Sequence, residues 1–475
     1  MSQILTKKRI NRFGIAWATL TILTFLILWL LKDDDGERQV ILSIFCFFVM
    51  GITLLWRLTL DELKLPLFNI GFILIFITII YSVYPVFSYW MSDFQWTAIS
   101  DQRMRSYKVT SSDMASFSLF HLSYIFAMIV GFLTIMKSSR LIFLHKAPLP
   151  PSKVSKKIIF SLFTLYILIL IWFKFSSLSG ISSAYIAQQI AHNLASVKFV
   201  IVVALFYVIT LRWHKPQWRY LGLVFIFYNL ILVLMQESGR THFILLFIAF
   251  LMFYHKNVRE FSFKFAFVLF SVLLAAFIMW GYVKTNLILS VQGYSLWSGS
   301  NEFTSLFGTA YDLHIRREMG ILPEVPLYVR YIDIVLSIPS QFLSSFKWDG
   351  PQWYLEVIGL RGTGVGMMFG VISQGVIGYG IFELLVRGLI TGILLGLLHN
   401  WYRKKSHLFW PNVIYVFIAV RSYYTYRAGT GYIFYDIFYQ LIPAMALMAF
   451  MTKIIFYTKK ITIHHNRDVF LNTIK

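Results

Sequence analysis

The chain is poor in the groups that most enzymes use for covalent and metal chemistry. Of 475 residues one is cysteine, Cys46, within an apolar run. That excludes an intrachain disulfide and any cysteine-based metal cluster. Charged residues make up only 13% of the chain, and just 21 residues are acidic. G-x-x-x-x-G-K-[ST], H-E-x-x-H and G-x-S-x-G are absent, so nucleotide hydrolysis, zinc-peptidase chemistry and the lipase nucleophile turn find no footing. The "DDD" of Asp33–Asp35 contains a D-x-D but sits in a short turn between apolar runs, far from any nucleotide fold. It reads as an outward-facing acidic turn without a metal role. His464 and His465 lie in a charged tail, where two neighbours do not make a metal site. The expectation is therefore no metal and no cofactor.

What the chain has is hydrophobicity: 58% apolar residues, 18% aromatics and a mean hydropathy of +0.68, beyond the range of soluble domains. Apolar stretches of about 20 residues, enough to cross a bilayer, recur along nearly the whole length. Backbone polar groups in lipid must be satisfied within the segment, so the spans are helices. The reading is an all-α, polytopic membrane protein, a single integral membrane domain over residues 1–475. About twelve spans are expected, starting near Gly14, Val40, Pro66, Phe117, Ile158, Leu194, Tyr220, Thr241, Phe265, Gly378, Pro411 and Tyr432. Lys and Arg concentrate in the segments on the N-terminal side, which puts both termini in the cytoplasm. The formal net charge of +22 mostly reflects basic loops such as "KSSRLIFLHKAPLPPSKVSKK". It speaks for topology and contact with anionic lipid, not for nucleic acid. The opening "KKRINRFGIAWATLTILTFLILWLLKDDDGE" resembles a signal sequence without a small-x-small cleavage site, so it reads as the first span.

Two connections are long. Residues 88–116 form a polar, aromatic outside loop, and residues 284–362 a larger one. Within the second, "FTSLFGTAYDLHIRREMGIL" and "VRYIDIVLSIPSQFLSSF" carry apolar residues at the spacing of amphipathic helices lying at the interface. Ordered loops of this length are usually functional. Residues 363–400 follow as a Gly-rich segment and then a regular span. Its "GTGVG", Gly362 to Gly366, reads either as a re-entrant segment facing a cavity or as tight helix packing through small residues.

Charge gathers where two spans meet the outer face. The turn "QESGR" joins spans seven and eight; Arg240 opens the eighth helix, whose N-terminal amides favour an anion. Glu237, Arg240 and His242 are thus candidates to hold and titrate against an anionic ligand; the alternative is a snorkelling Arg paired with Glu237. In "FIAVRSYYTYRAGTGYIFYD", Arg421 interrupts an apolar span and shares a broad helical face with Tyr424 and Arg427. An Arg inside a span needs a wet cavity or a partner, and Asp436 on the next helix is the available partner. Arg316, Arg317, Arg330, Arg361 and Lys347 add outer cations. Because guanidinium binds phosphate oxygens in a planar, bidentate way, an Arg-lined outward cavity suits a diphosphate.

The Ser238–Arg240 turn entering a span, the long late loop with its "DIVLSIPSQFLSSF", and the following "GTGVGMMFGVISQGVIGYGIFELLVRGLITGILLG" resemble the bacterial oligosaccharide repeat-unit polymerases, the Wzy-type O-antigen polymerases. The likeness covers roughly residues 220–450. The chain departs from the pattern where an acidic residue and then Asn-Phe-Gly are expected: it has Gln374, then Gly378-Tyr379-Gly380.

The resemblance implies a membrane glycosyltransferase of the GT-C kind in the bacterial cytoplasmic (inner) membrane. It would move a growing glycan from one undecaprenyl diphosphate onto a new undecaprenyl-diphosphate-linked repeat at the outer face, building O-antigen, capsule or exopolysaccharide. A partner that regulates chain length is implied as well. Within it, Arg240, Arg421 and Arg427, with Arg361 as a fourth, are expected to bind the leaving diphosphate. Glu237 and His242 are candidates for the base that deprotonates the acceptor hydroxyl. Tyr423, Tyr424 and Tyr426 are candidates for stacking on sugar rings, the alternative being belt residues at the interface. Two rival readings stand beside it. An O-antigen ligase would share the architecture and the outward arginines. A lipid-linked oligosaccharide flippase or other transporter predicts charge at mid-membrane in both halves and an internal repeat, and no repeat is visible.

Overall fold

The computed structural model describes residues 79–91, 110–139, 154–178, 185–234, 240–261, 302–325, 350–361 and 368–453, with isolated positions between 40 and 77 and between 265 and 279. Every regular element among the described residues is helical. A π-helical turn, Ile79–Val83, runs into α1 (Tyr84–Met91). Then come α2 (Ser111–Ser139), α3 (Lys156–Leu178), α4 (Tyr185–Leu211), α5 (Pro216–Leu234) and α6 (Arg240–Asn257). They are followed by α7 (Glu302–Glu318), α8 (Gly350–Val357), α9 (Val371–Ile377), α10 (Ile381–Lys405), α11 (Phe409–Arg421) and α12 (Tyr423–Ala428). The last, α13 (Tyr432–Lys453), contains a π-helical segment at Asp436–Leu441.

The spans expected near Phe117, Ile158, Leu194, Tyr220, Thr241, Gly378, Pro411 and Tyr432 each coincide with one of these helices. Those near Gly14, Val40 and Phe265 fall wholly or largely outside the described residues, as do "GTGVG" and "VRYIDIVLSIPSQFLSSF". Among the described residues three helices are long and apolar enough to cross a membrane: Ser111–Ile135, Ile381–Lys405 and Tyr432–Lys453. Shorter apolar helices cover Val197–Leu211, His242–Asn257 and Phe409–Arg421.

The exposed faces say what solvent they were built for. α3 presents Phe160, Ile167, Leu168, Ile171 and Trp172 outward, and α5 presents Tyr220, Leu223, Val224, Phe227 and Ile231. α10 does the same with Phe382, Leu385, Val386, Leu389 and Leu397. Contiguous apolar faces of this extent are costly in water and neutral in lipid. The chain is therefore a helical, membrane-associated protein.

Two compact units share the chain. Unit 1 comprises Met1–Leu144, Phe261–Asn400 and Ser422–Tyr432; unit 2 comprises His145–Glu260, Trp401–Arg421 and Ile433–Lys475.

In unit 1 the glycines of α10 do the packing. Gly388, Gly392 and Gly396 recur every fourth residue, so they line one helical face. A Cβ at Gly388 would meet the Tyr124 carbonyl oxygen, and one at Gly392 that of Met128. From α2, a Cβ at Gly131 would sit 2.6 Å from the Leu389 carbonyl oxygen. The two backbones touch, which is how helices associate where lipid supplies no hydrophobic drive between them. Asn400 Nδ2 donates to the Ile135 carbonyl at 3.2 Å and ties the end of the seam. For these glycines of the expected 363–400 segment, close packing is the observed use.

α7 differs from the expected interfacial helix. Residues 306–315 are buried without interruption, so no face is left to lie on a bilayer surface. The reason is polar: Asp312 accepts from Arg316 Nε at 2.9 Å and from the Tyr354 hydroxyl at 2.8 Å, which lets its polar side be covered too. Arg317 then donates to the carbonyls of Val376 and Gly378, the latter at 2.7 Å, and so caps the C-terminus of α9.

In unit 2 the hub is α4. From Phe199 to Thr210 every residue is buried, as expected for a helix apolar on all sides. It packs on α3, α5, α6, α11 and the π-helical part of α13.

Candidate functional site

Arg421, Asp436 and His242 of unit 2 lie where α4, α6, α11 and α13 come together. Arg421 is the last residue of α11 and is buried, 9% exposed. Its Nη2 lies 2.8 Å from Asp436 Oδ1, and its Nε lies 3.2 Å from both carboxylate oxygens. Asp436, 3% exposed, also accepts from Gln440 Nε2 at 2.7 Å. Asp436 and Gln440 both come from the π-helical stretch as an i,i+4 pair; such bulges frequently mark functional sites. The Arg421 guanidinium also stands 5.7 Å over the Phe199 ring. The partner anticipated in the sequence is thus present, and it fixes the direction in which the cation points.

His242, in the first turn of α6, packs edge-on against the same Phe199 at 5.0 Å. Arg421 and His242 thus share one ring, and Lys198 precedes it in the chain. Two sequence candidates, His242 and Arg421, are therefore brought together around Phe199. Arg240 opens α6, as its turn position requires, so the N-terminal amides of α6 begin at that residue. Glu237 lies outside the described residues. Among the described residues, the cluster sets the Arg421–Asp436 pair beside the His242 imidazole around Phe199. Such a set holds a guanidinium in a fixed direction with a neutral imidazole nearby.

The other candidates belong to unit 1. Arg427 ends α12 and donates from Nη1 to the Tyr423 hydroxyl at 3.1 Å, with its guanidinium 5.8 Å and 5.7 Å over the rings of Tyr423 and Tyr424. Tyr424 stacks on Tyr432 at 4.9 Å and is half-buried. Tyr423 packs tilted against Tyr81 at 5.6 Å. Tyr426 is interior at 2% exposed, its hydroxyl 2.7 Å from Ser82 Oγ and 2.6 Å from His121 Nδ1. That placement serves packing and leaves no ring face for a sugar. Arg361 is open to solvent, 71% exposed at the side chain, and pairs with Glu356.

Sequence reasoning missed a buried polar knot in unit 1. Arg387, 3% exposed within α10, donates from Nε to Glu383 Oε1 at 2.6 Å and from Nη1 to Gln374 Oε1 at 3.2 Å. The second Glu383 oxygen accepts the Tyr379 amide at 3.0 Å and lies against Gly378. Gly429, at φ +100°, passes so close to the Gln374 side chain that a Cβ there would clash at 2.5 Å with its amide nitrogen. So the Gln that stands in the place of the expected acid is tied to a carboxylate nine positions on, through one guanidinium. The signal was available: Glu383 and Arg387 are an i,i+4 pair inside an apolar span, the same circumstance that singled out Arg421. The Ser82–His121–Tyr426 contact joins residues far apart in sequence, and nothing in the local pattern announces it.

Comparison of the chain with protein-family models, with curated proteins and with solved structures finds no match.

Proposed function

We propose that this protein is a polysaccharide polymerase: a membrane glycosyltransferase that joins undecaprenyl-diphosphate-linked oligosaccharide repeat units at the outer face of the bacterial cytoplasmic membrane. The observation that carries the reading is the buried Arg421, held by Asp436 and sharing the Phe199 ring with His242 in the first turn of α6. Around it the proposal sets about twelve spans with both termini inside, a GT-C-like arrangement and an external loop over residues 284–362.

In the proposed reaction the acceptor hydroxyl oxygen attacks the anomeric carbon of the donor glycan. The bond from that carbon to the diphosphate oxygen breaks, and the electron pair leaves on the diphosphate. Cations held in place before the bond breaks stabilise that growing charge without having to reorganise. Arg421, aimed by Asp436, Arg240 at the α6 terminus and Lys198 are assigned to this work. His242 takes the acceptor proton, with Glu237 as the alternative base. The donor carries its own leaving group, so the scheme calls for no nucleotide. A chain-length regulator acts on the protein as a partner in this scheme.

The test is to delete the gene in its host and resolve surface and lipid-linked glycans by size. Collapse of a ladder to a single repeat unit supports the polymerase. Long polymer retained on its lipid carrier makes the protein a ligase, and single repeats confined to the cytoplasmic face make it a flippase.

A further inference from the structure

The ends of α6 and α11 remote from Arg421 meet in a second polar cluster, all of it within unit 2. Lys256, in the last turn of α6, donates from Nζ to the Tyr402 hydroxyl at 2.8 Å, to the Ser406 carbonyl at 3.1 Å and to Asn412 Oδ1. The three protons of the ammonium thus meet three acceptors, and each acceptor is neutral. Asn412, buried in the first turn of α11, turns its Nδ2 back to the same Ser406 carbonyl at 2.8 Å and to the Leu408 carbonyl. Tyr402 stacks on Tyr415 of α11 at 3.9 Å, the rings 8° from parallel. One residue on, Asn257 Nδ2 donates to Thr210 Oγ1 of α4 at 2.9 Å. A single ammonium therefore fastens α6 to α11 and to the turn that precedes it, and its neighbour fastens α6 to α4.

We propose that Lys256 is a positioning residue for the Arg421 site, acting through the register of α6 against α11. The two helices run antiparallel and are joined at both ends. At one end His242 and Arg421 share the Phe199 ring; at the other Lys256 holds Asn412. His242 and Lys256 stand on one unbroken helix, about 21 Å apart at 1.5 Å per residue. Rigid elements of this kind carry displacements between distant groups, so a slip of α6 at Lys256 arrives at His242. Between apolar helices in lipid no hydrophobic drive sets the register; packing and interhelical hydrogen bonds do. Lys256 supplies three such bonds, each strengthened by its charge. The acceptors gather around one point, which suits a compact ammonium better than a planar guanidinium. The kinetic consequence rests on the polymerase reading, and the structural one does not.

The experiment uses the full-length protein in detergent with isotope-labelled histidine, the His242 resonance being identified by its loss in His242→Gln. The edge-on Phe199 ring shifts that resonance, so its position reports how the first turn of α6 is seated. Lys256→Met should move it toward the value of a histidine without a ring beside it. Asn412→Ala reaches the same contact from α11 and should move it in the same direction, so the outcome does not hang on one variant folding. With a prenyl-diphosphate-linked repeat unit as substrate, Lys256→Met should lower kcat on the order of a hundredfold, the cost of misplacing reacting groups by about 1 Å. KM for the repeat unit should stay where it is, because the lost alignment acts on the transition state. A resonance that stays in place in both variants, or a kcat unchanged in a variant whose resonance has moved, would overturn the inference and leave Lys256 a stabilising residue only. If the unaltered protein elongates nothing, the polymerase reading fails, and the resonance alone decides whether Lys256 seats the site.

Discussion

The Arg421–Asp436 pair separates a structural cation from a functional one. With three contacts of 2.8–3.2 Å and both side chains nearly out of solvent, the pair is well formed. Unit charges about 4 Å apart at an effective dielectric of about 20 attract by about 4 kcal/mol. Removing one member of a buried pair typically costs about 3–5 kcal/mol, because the other charge is stranded. Arg421→Met leaves Asp436 with Gln440 as its remaining described donor, so the unfolding midpoint in detergent should fall by about 3–5 °C. Asp436→Leu strands Arg421 to a similar extent. The double variant Arg421→Met with Asp436→Leu removes both charges and should return to within about 1 kcal/mol of the unaltered protein. Stability and activity then part company. If Arg421 acts on the diphosphate, the double variant is as stable as the unaltered protein and makes no polymer. A double variant that is stable and makes a normal ladder would refute the assignment of Arg421 and reduce it to a packing residue.

Two further outcomes follow from unit 1. Gly392→Leu drives a side chain into the Met128 carbonyl and must part α2 from α10; it should cost about 1–3 kcal/mol and lower the yield of monodisperse protein, whereas the same change at Gly320, where a Cβ meets nothing within 4 Å, should leave the α2–α10 seam intact. Arg387→Met strands Glu383 in the buried knot and should destabilise by about 3–5 kcal/mol, with Glu383→Gln costing less because an amide still accepts from Arg387; equal midpoints for both variants would contradict the ion-pair account.

Much of the helical layout was legible in the residues, and the reason is physical. A span is an apolar run between polar turns, so α6 opens at Arg240 and α13 at Tyr432 within a residue of expectation. The start of α4 was less visible: Tyr185–Leu194 contains Gln188, Gln189 and His192, which broke the apolar run but not the helix. α7 showed an amphipathic pattern, yet the pattern does not reveal that Asp312, Arg316 and Tyr354 satisfy one another and let the polar face be covered as well. The site divided in the same way. Arg421 was found because a charge in a span is conspicuous, and its partner Asp436 because it lies on the next helix. Arg387 met the same criterion, within the regular span that follows the Gly-rich "GTGVG", and was not singled out. Tyr426 was misjudged for a different reason: interfacial and interior tyrosines have the same local sequence, and only the contact with Ser82 and His121 distinguishes them.

The central claim is that the outer cations of this chain drive transfer of a glycan from one lipid diphosphate to another. Its most direct measurement supplies the purified protein with a synthetic prenyl-diphosphate-linked repeat unit and follows both products together. The account predicts growth of a ladder on one lipid carrier with release of one free prenyl diphosphate for each unit added, and loss of both products in Arg240→Ala. No elongation by the folded protein, or elongation that persists undiminished in Arg240→Ala and Arg421→Ala, would contradict it.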